Sequence, residues 1–302
     1  MKHRHPVLPR ASIRAFPAWT PWLFLTPFVV VFTLFTLWPL TRSLTLSFQQ
    51  TFGPGASRYV GLGNFQFLLQ DPLFWKATRN TLIFTVASVA LQVPLALGLA
   101  LLLNRPRLRG RAFLRLVFFS PSLVGLVFVG MLFALVFEKR TGLLNTLLHS
   151  VIPAFDPDFG WLHSSILTSL VLAALWLYVG LNMVYFLAAL QNVPADLIEA
   201  ASIDGATAWQ RFRHIVLPEI KPVAGLVVLL SIVGSFQLFE LPWVLLDNSS
   251  GPDNGGLTLV MYLYQTGFMT GDLGYASAIG WVITLVLGTL ALLHRRIMRR
   301  SE

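Results

Sequence analysis

Six stretches of this chain are apolar for long enough to cross a bilayer, and that repetition leaves few folds open. They run roughly from Trp22 to Leu44, Asn80 to Leu103, Leu114 to Phe137, Ser165 to Leu190, Lys221 to Leu246 and Ala276 to Leu293. A helix needs about 17–25 residues to cross about 30 Å of hydrocarbon. Lipid offers backbone N–H and C=O groups no water, so they must bond within the segment, as a helix allows. The 302 residues are 55% hydrophobic and 12% charged, with a mean hydropathy of +0.69, far from a soluble domain. The expected fold is all-α, a polytopic membrane protein with about six transmembrane helices.

Basic residues set the expected orientation. Lys2, Arg4, Arg10 and Arg14 precede the first span, and Arg105, Arg107, Arg109, Arg111 and Arg115 crowd the second connection. Arg211, Arg213 and Lys221 mark the fourth connection, and Arg295, Arg296, Arg299 and Arg300 follow the last span. The connection from Asp247 to Gly274 holds Asp247, Asp253 and Asp272 but no Lys or Arg. Both termini are therefore expected in the cytoplasm. The other outer connections are less one-sided: Arg58, Lys76 and Arg79 face Asp71 in the first, and Lys139 and Arg140 accompany Glu138, Asp156 and Asp158 in the second. The net charge of +9 follows from this pattern and from anionic lipid, so no nucleic-acid partner is expected.

Residues 1–20 read as a basic cytoplasmic tail, and residues 21–302 as one membrane domain with a cytosolic loop at 191–220. The first apolar segment is too long for a signal-peptide core and is followed by more spans, so it is expected to be retained. With no cysteine, disulfides and thiolate chemistry are excluded.

The loop between the fourth and fifth spans carries the most patterned polar stretch. Glu199-Ala200-Ala201-Ser202-Ile203-Asp204-Gly205 is followed at a distance by Ile215-Val216-Leu217-Pro218. It reads as two short helices joined at a bend. Pro194 can open the first, Gly205 supplies the turn, and Pro218 is expected to end the second before the fifth span. Leu197, Ala200 and Ala201 share a face by i, i+3 and i+4 spacing, and the alanines would let another surface approach closely.

Glu-Ala-Ala, three residues, Gly, nine residues, then Ile-x-Leu-Pro resembles the coupling-loop signature of inner-membrane permeases in ATP-binding-cassette (ABC) importers. The resemblance implies that this loop docks in a cleft of a separate ATPase and transmits its closure to the spans. Glu199, Ala200, Ala201, Ser202, Asp204 and Gly205 are then the ATPase-coupling residues, with Glu199 and Asp204 as candidate partners for basic groups. Alternatively, Glu199 pairs with Arg211 or Arg213 inside the loop.

Further positions resemble the sugar-uptake branch of these permeases, which serves maltose, multiple sugars and glycerol-3-phosphate. They are Trp38-Pro39-Leu40, Tyr59-Val60-Gly61-Leu62-Gly63-Asn64-Phe65, Asp71-Pro72, Asn80-Thr81, Tyr262 with Tyr264, and Gly274-Tyr275-Ala276-Ser277-Ala278. One departure is Asn248-Ser249-Ser250-Gly251-Pro252, where the branch often has a Thr-Gly-Gly-Gly-Pro-like turn. The resemblance implies an inner-membrane heterodimer with a second permease, an ATPase dimer, an extracytoplasmic substrate-binding protein, and a sugar or polyol phosphate as cargo. Another solute class, such as a polyamine or phosphate, and an ion-driven transporter are the alternatives.

No enzyme chemistry is expected. None of the four lysines, Lys2, Lys76, Lys139 and Lys221, follows a glycine, so the chain lacks a phosphate-cradling Gly-Lys-Ser/Thr loop. ATP and Mg must belong to the partner ATPase, leaving no cofactor here. No His-Glu-x-x-His pair offers a zinc site.

Polar residues within spans mark the candidate pathway. Glu240, Gln237 and Gly234 fall on one face of a continuous fifth span by i, i+3 spacing. Ser122 beside Pro121, and Tyr178 with Asn182 in the fourth span, complete the substrate candidates. The alternative is that Glu240 reaches outer water while Gln237 and Ser235 bond neighbouring helices.

Overall fold

The computed structural model describes residue 17 and residues 19–51, 55, 57–105 and 108–299. Nearly all of the expected basic tail, the turn tip Phe52-Gly53-Pro54, and Pro106-Arg107 lie outside the described residues. Among the described residues five helices are long and apolar enough to cross a membrane: Trp22–Ser47, Pro72–Leu103, Ile166–Gln191, Ala208–Phe236 and Leu273–Met298. A bent pair, Arg111–Leu123 and Leu126–Val136, meets at 101° and makes six spans when counted as one broken span. Residues up to Thr45 form one compact unit and Leu46 onward the other. In the first unit the helix stacks Phe28 on Phe32, with ring centres 5.7 Å apart.

Within the second unit, the second and fourth spans form the spine. Ala96, Ala100 and Leu103 pack with Met183, Phe186 and Leu187, all nearly or fully buried. The alanines let the backbones approach closely, which is how membrane helices gain van der Waals contact where lipid removes the hydrophobic incentive. Gly180 brings the fourth span closer still to the third, since a Cβ there would sit 1.7 Å from the Phe118 carbonyl oxygen.

The third span is not the straight helix expected from Leu114 to Phe137. Pro121 has no N–H for the Val117 carbonyl. The Ser120 hydroxyl donates to that carbonyl instead, at 3.1 Å. The chain turns through extended backbone at Val124 and Gly125, and the helix restarts at Leu126. Its second half packs on the helix Glu240–Leu245, with Gly130 against Val244.

Two further expectations about prolines are corrected. Pro218 ends no helix: residues Ala208–Phe236 are helical throughout. A π-turn at Phe212–Val216, in which the Leu217 N–H donates to the Phe212 carbonyl, shifts the bonding register just before the proline. That wider turn accommodates a residue without an N–H. The fifth span is also not continuous to Leu246. It stops at Phe236, and a new helix begins at Glu240. Pro242 accounts for the break, because its ring excludes a helical partner at the Leu238 carbonyl four residues back. The freed carbonyl accepts the Thr258 hydroxyl at 2.6 Å.

The first and last of the connections between spans are fastened to each other and to the second span by polar side chains. A hairpin of Gln49–Thr51 and Ser57–Tyr59, a small departure from all-α, leads into the helix Gly63–Gln70. Asn64 donates to the carbonyls of Ser47 and Gln49 at 2.9 and 2.8 Å. Asp71 caps the second span by accepting the Leu73 N–H at 2.9 Å, so this span begins at Pro72, earlier than expected. Its other oxygen accepts the hydroxyls of Tyr275, at 2.6 Å, and of Tyr262. Burial and the bond to Asp71 hold the Tyr262 hydroxyl protonated far above the usual tyrosine range. Asn80 donates to the carbonyls of Asn254 and Leu257, and Thr81 accepts the Leu259 N–H at 3.0 Å.

The last outer loop keeps its turn without the branch's glycines. Gly251 has φ +70, and Asp247, Asn248, Asp253 and Asn254 also take positive φ in this turn. Ser249 and Ser250 are not left-handed, so side chains are tolerated there.

Candidate functional site

The loop between the fourth and fifth spans is two helices and a sharp bend. Ala195–Ile203 forms the first helix, with Pro194 at its N-cap and Asp196 in the first turn. It ends in a Schellman motif. The Ala206 N–H donates to the Ala201 carbonyl at 2.9 Å, and the Gly205 N–H to the Ser202 carbonyl at 3.2 Å. Gly205 has φ +80, which glycine adopts freely, and the space beside it is open. Its requirement is therefore conformational, not steric. The Ser202 hydroxyl bonds the Ile198 carbonyl within the helix at 2.7 Å.

The second helix opens on a capping box that spacing alone left unnoticed. The Gln210 N–H donates to the Thr207 hydroxyl at 3.3 Å, and the Gln210 side-chain oxygen accepts the Thr207 N–H at 2.7 Å. Thr-x-x-Gln was the legible signal. Arg211 donates to the Ala206 carbonyl at 2.8 Å, so it braces the bend. Among the described residues no ion pair joins Glu199 to Arg211 or Arg213.

Glu199, Ala200, Ser202, Asp204 and Gly205 are exposed, and Ala201 is half-buried. Beside them stand apolar side chains that the motif did not single out. Ile203 is 88% exposed and Trp209 64% exposed, with Leu197 nearby in sequence at 46%. Ile203 and Trp209 thus offer apolar surface beside the bend, although Phe212 packs on Trp209 with ring centres 5.5 Å apart.

The candidate pathway residues separate. Tyr178 and Gly234 line a cavity of about 150 Å³, open on one side, between the second, fourth and fifth spans. Asn182 and Ser231 line it too, the Asn182 amide donating to the Ser231 hydroxyl at a long 3.4 Å. Beside Gly234 nothing lies within 4 Å of a built Cβ, so this glycine widens the space. Ser122 is not in the wall; its hydroxyl bonds the Phe119 carbonyl at 2.7 Å, within the bend of the third span. Gln237 is the C-cap of the fifth span and outside the cavity lining. Glu240 is separated from it by the break and starts the next helix, where its charge suits the helix N-terminus. The expected face shared by Gly234, Gln237 and Glu240 is thus interrupted by the Pro242 effect. Sequence reasoning missed Gln92 and Tyr185, which also line the cavity. A glutamine inside an apolar span was the available signal for the first.

Among the described residues no cluster of His, Cys, Asp or Glu could hold a metal ion.

Residues 92–302 match the family model described as the inner membrane component of binding-protein-dependent transport systems. The arabinooligosaccharides transport system permease protein AraP of Bacillus subtilis (strain 168) is 40% identical over 280 residues, covering 92% of this chain and 88% of that protein. The lactose transport system permease protein LacF of Rhizobium radiobacter is 35% identical over 289 residues, covering 94% of this chain and 96% of that protein. A solved chain of a bacterial alginate ABC transporter, in complex with an alginate pentasaccharide-bound periplasmic protein, superposes with a TM-score of 0.81 at 22% identity, covering 93% of this chain and 94% of that one. The capped and bent loop, the spans around a shared cavity and these matches agree: the chain belongs to the family of inner-membrane permease components of binding-protein-dependent transport systems, and is a transport subunit, not an enzyme.

Proposed function

We propose that this chain forms half of the translocation pathway of an ABC importer for a neutral sugar, most simply an oligosaccharide. Both termini lie in the cytoplasm, and loop 191–220 docks on the ATPase. A second permease completes the pathway, an ATPase dimer binds ATP and Mg, and an extracytoplasmic binding protein delivers the cargo. Closure of the ATPase pair draws the coupling loops together and opens the pathway outward, so this chain transmits work without chemistry of its own.

One observation carries the choice of cargo: the cavity lining contains amides, hydroxyls, aromatic rings and no charged side chain. A phosphate or polyamine would enter it with its charge unmatched, which a largely apolar wall penalises heavily. A sugar offers donors and acceptors together with apolar C–H faces, which this wall can meet. Relatives named for arabinooligosaccharide and lactose transport support the same class.

The test is reconstitution of the full importer in proteoliposomes with its binding protein. Neutral oligosaccharides should stimulate ATP hydrolysis and accumulate, whereas phosphate and polyamines should do neither. Uptake by the lone chain without an ATPase would favour an ion-driven transporter instead.

A further inference from the structure

The second span turns a row of polar side chains inward: Thr81, Thr85, Ser88 and Gln92, all buried. Their i, i+4, i+7 and i+11 spacing places them on one helical face. The first two are satisfied by protein. Thr81 accepts the Leu259 N–H, and Thr85 donates to the Thr81 carbonyl at 2.7 Å. The last two are not. The Ser88 hydroxyl oxygen is buried without a partner. Gln92 is 4% exposed and has no protein hydrogen bond, yet it lies in the cavity wall.

The Gln92 polar atoms, unlike the Ser88 hydroxyl, are not sealed off, so the amide without a protein partner opens onto the cavity. On the facing elements Tyr178, Asn182 and Ser231 line the same space. The long Asn182–Ser231 contact leaves the Asn182 carbonyl oxygen unused. Two amides and two phenols around one cavity provide donors and acceptors on several sides, the complement of adjacent sugar hydroxyls.

We propose that Gln92 is a specificity-determining residue of the pathway, whose amide hydrogen-bonds a hydroxyl group of the sugar in transit. This rests on the neutral-sugar reading above. Gln92 brings an amide into the cavity from the second span, so the spans that recognise cargo include this one beside the fourth and fifth. A site built to bond a hydroxyl should reject the deoxy analogue, because the amide is then stranded.

The experiment uses the complete importer in proteoliposomes, with lactose, arabinotriose and their singly deoxygenated analogues as probes. The wild-type complex should favour at least one parent sugar over a deoxy analogue by about tenfold. Gln92→Leu should bring that preference to within about twofold, and Gln92→Asn should keep part of it. The binding protein is the same throughout, so its own selectivity cancels between variants. Preference is a ratio, so it does not depend on how much complex assembles; Gln92→Met repeats the test if Gln92→Leu is poorly produced. An unchanged preference in Gln92→Leu or Gln92→Met would overturn the proposal and leave water as the amide's partner. Failure of the wild-type complex to move either parent sugar would instead overturn the sugar reading, and the ligand assigned to Gln92 with it.

Discussion

The Ala206 N–H donates to the Ala201 carbonyl at 2.9 Å, closing the helix Ala195–Ile203 around Gly205 at φ +80. The loop is a fixed elbow, and its geometry depends on a backbone state that only glycine takes without strain. Gly205→Ala should therefore cost about 1–2 kcal/mol in the bend. Gly205→Pro should do more, because it also removes the N–H bonded to Ser202 and cannot adopt positive φ. The expected result is normal membrane insertion, with sugar uptake reduced at least about tenfold while ATP is still hydrolysed. Paired measurements of uptake and ATPase activity in proteoliposomes check it.

The outer fastening makes a separate claim. Asp71 caps the second span and receives two tyrosine hydroxyls from the far end of the chain. Asp71→Ala should destabilise the purified complex by about 1–3 kcal/mol for each stranded hydroxyl, plus about 1 kcal/mol for the cap. Tyr275→Phe removes a single bond and should cost less. Thermal unfolding of the two variants side by side reads the difference.

Gly180 tests the packing of the bundle. A methyl group there would collide with the Phe118 carbonyl, which belongs to backbone and cannot swing aside. Gly180→Ala should separate the third and fourth spans and lower the yield of folded complex several-fold. Gly234→Ala, where the built Cβ meets nothing within 4 Å, should assemble normally. Size-exclusion profiles of both variants decide the point.

Only part of this architecture was legible beforehand. The spans announced themselves because lipid demands long apolar helices, and the bend at Gly205 because few residues tolerate its φ. The breaks were less visible. Pro121, Pro218 and Pro242 look alike in sequence, yet one bends its span, one passes within a helix, and one separates two helices. The outcome depends on what bonds the freed carbonyl: Ser120 for Val117, Thr258 for Leu238, and a shifted π-turn beside Pro218. Thr258 lies far along the chain from Leu238, so no local pattern could reveal it. Gln92 was overlooked for a similar reason, since its lack of a partner appears only when neighbouring spans are in place.

The connection after the third span carries a pH-dependent anchor. The Glu138 carboxylate accepts the backbone N–H groups of Thr141 and Arg140, and the Thr141 bond chiefly holds its pKa below the ordinary 4.5. A depressed folded pKa stabilises the loop above the unfolded value and ceases to do so as pH falls through the folded one. The Thr141 amide should therefore exchange slowly with solvent near neutral pH and lose that protection only below the usual glutamate range. Glu138→Gln should show weaker protection at neutral pH, with hydrogen exchange as the readout.

The central claim is that the Gly205 elbow faces the cytoplasm and meets the ATPase there. The chain has no cysteine, so Ile203→Cys places a single thiol on the most exposed apolar residue of the elbow. A membrane-impermeant thiol reagent should leave this variant unmodified in intact cells, and should label it in inverted vesicles stripped of ATPase but not in vesicles that retain it. Labelling in intact cells would contradict the account, as would equal labelling of the vesicles with and without the ATPase.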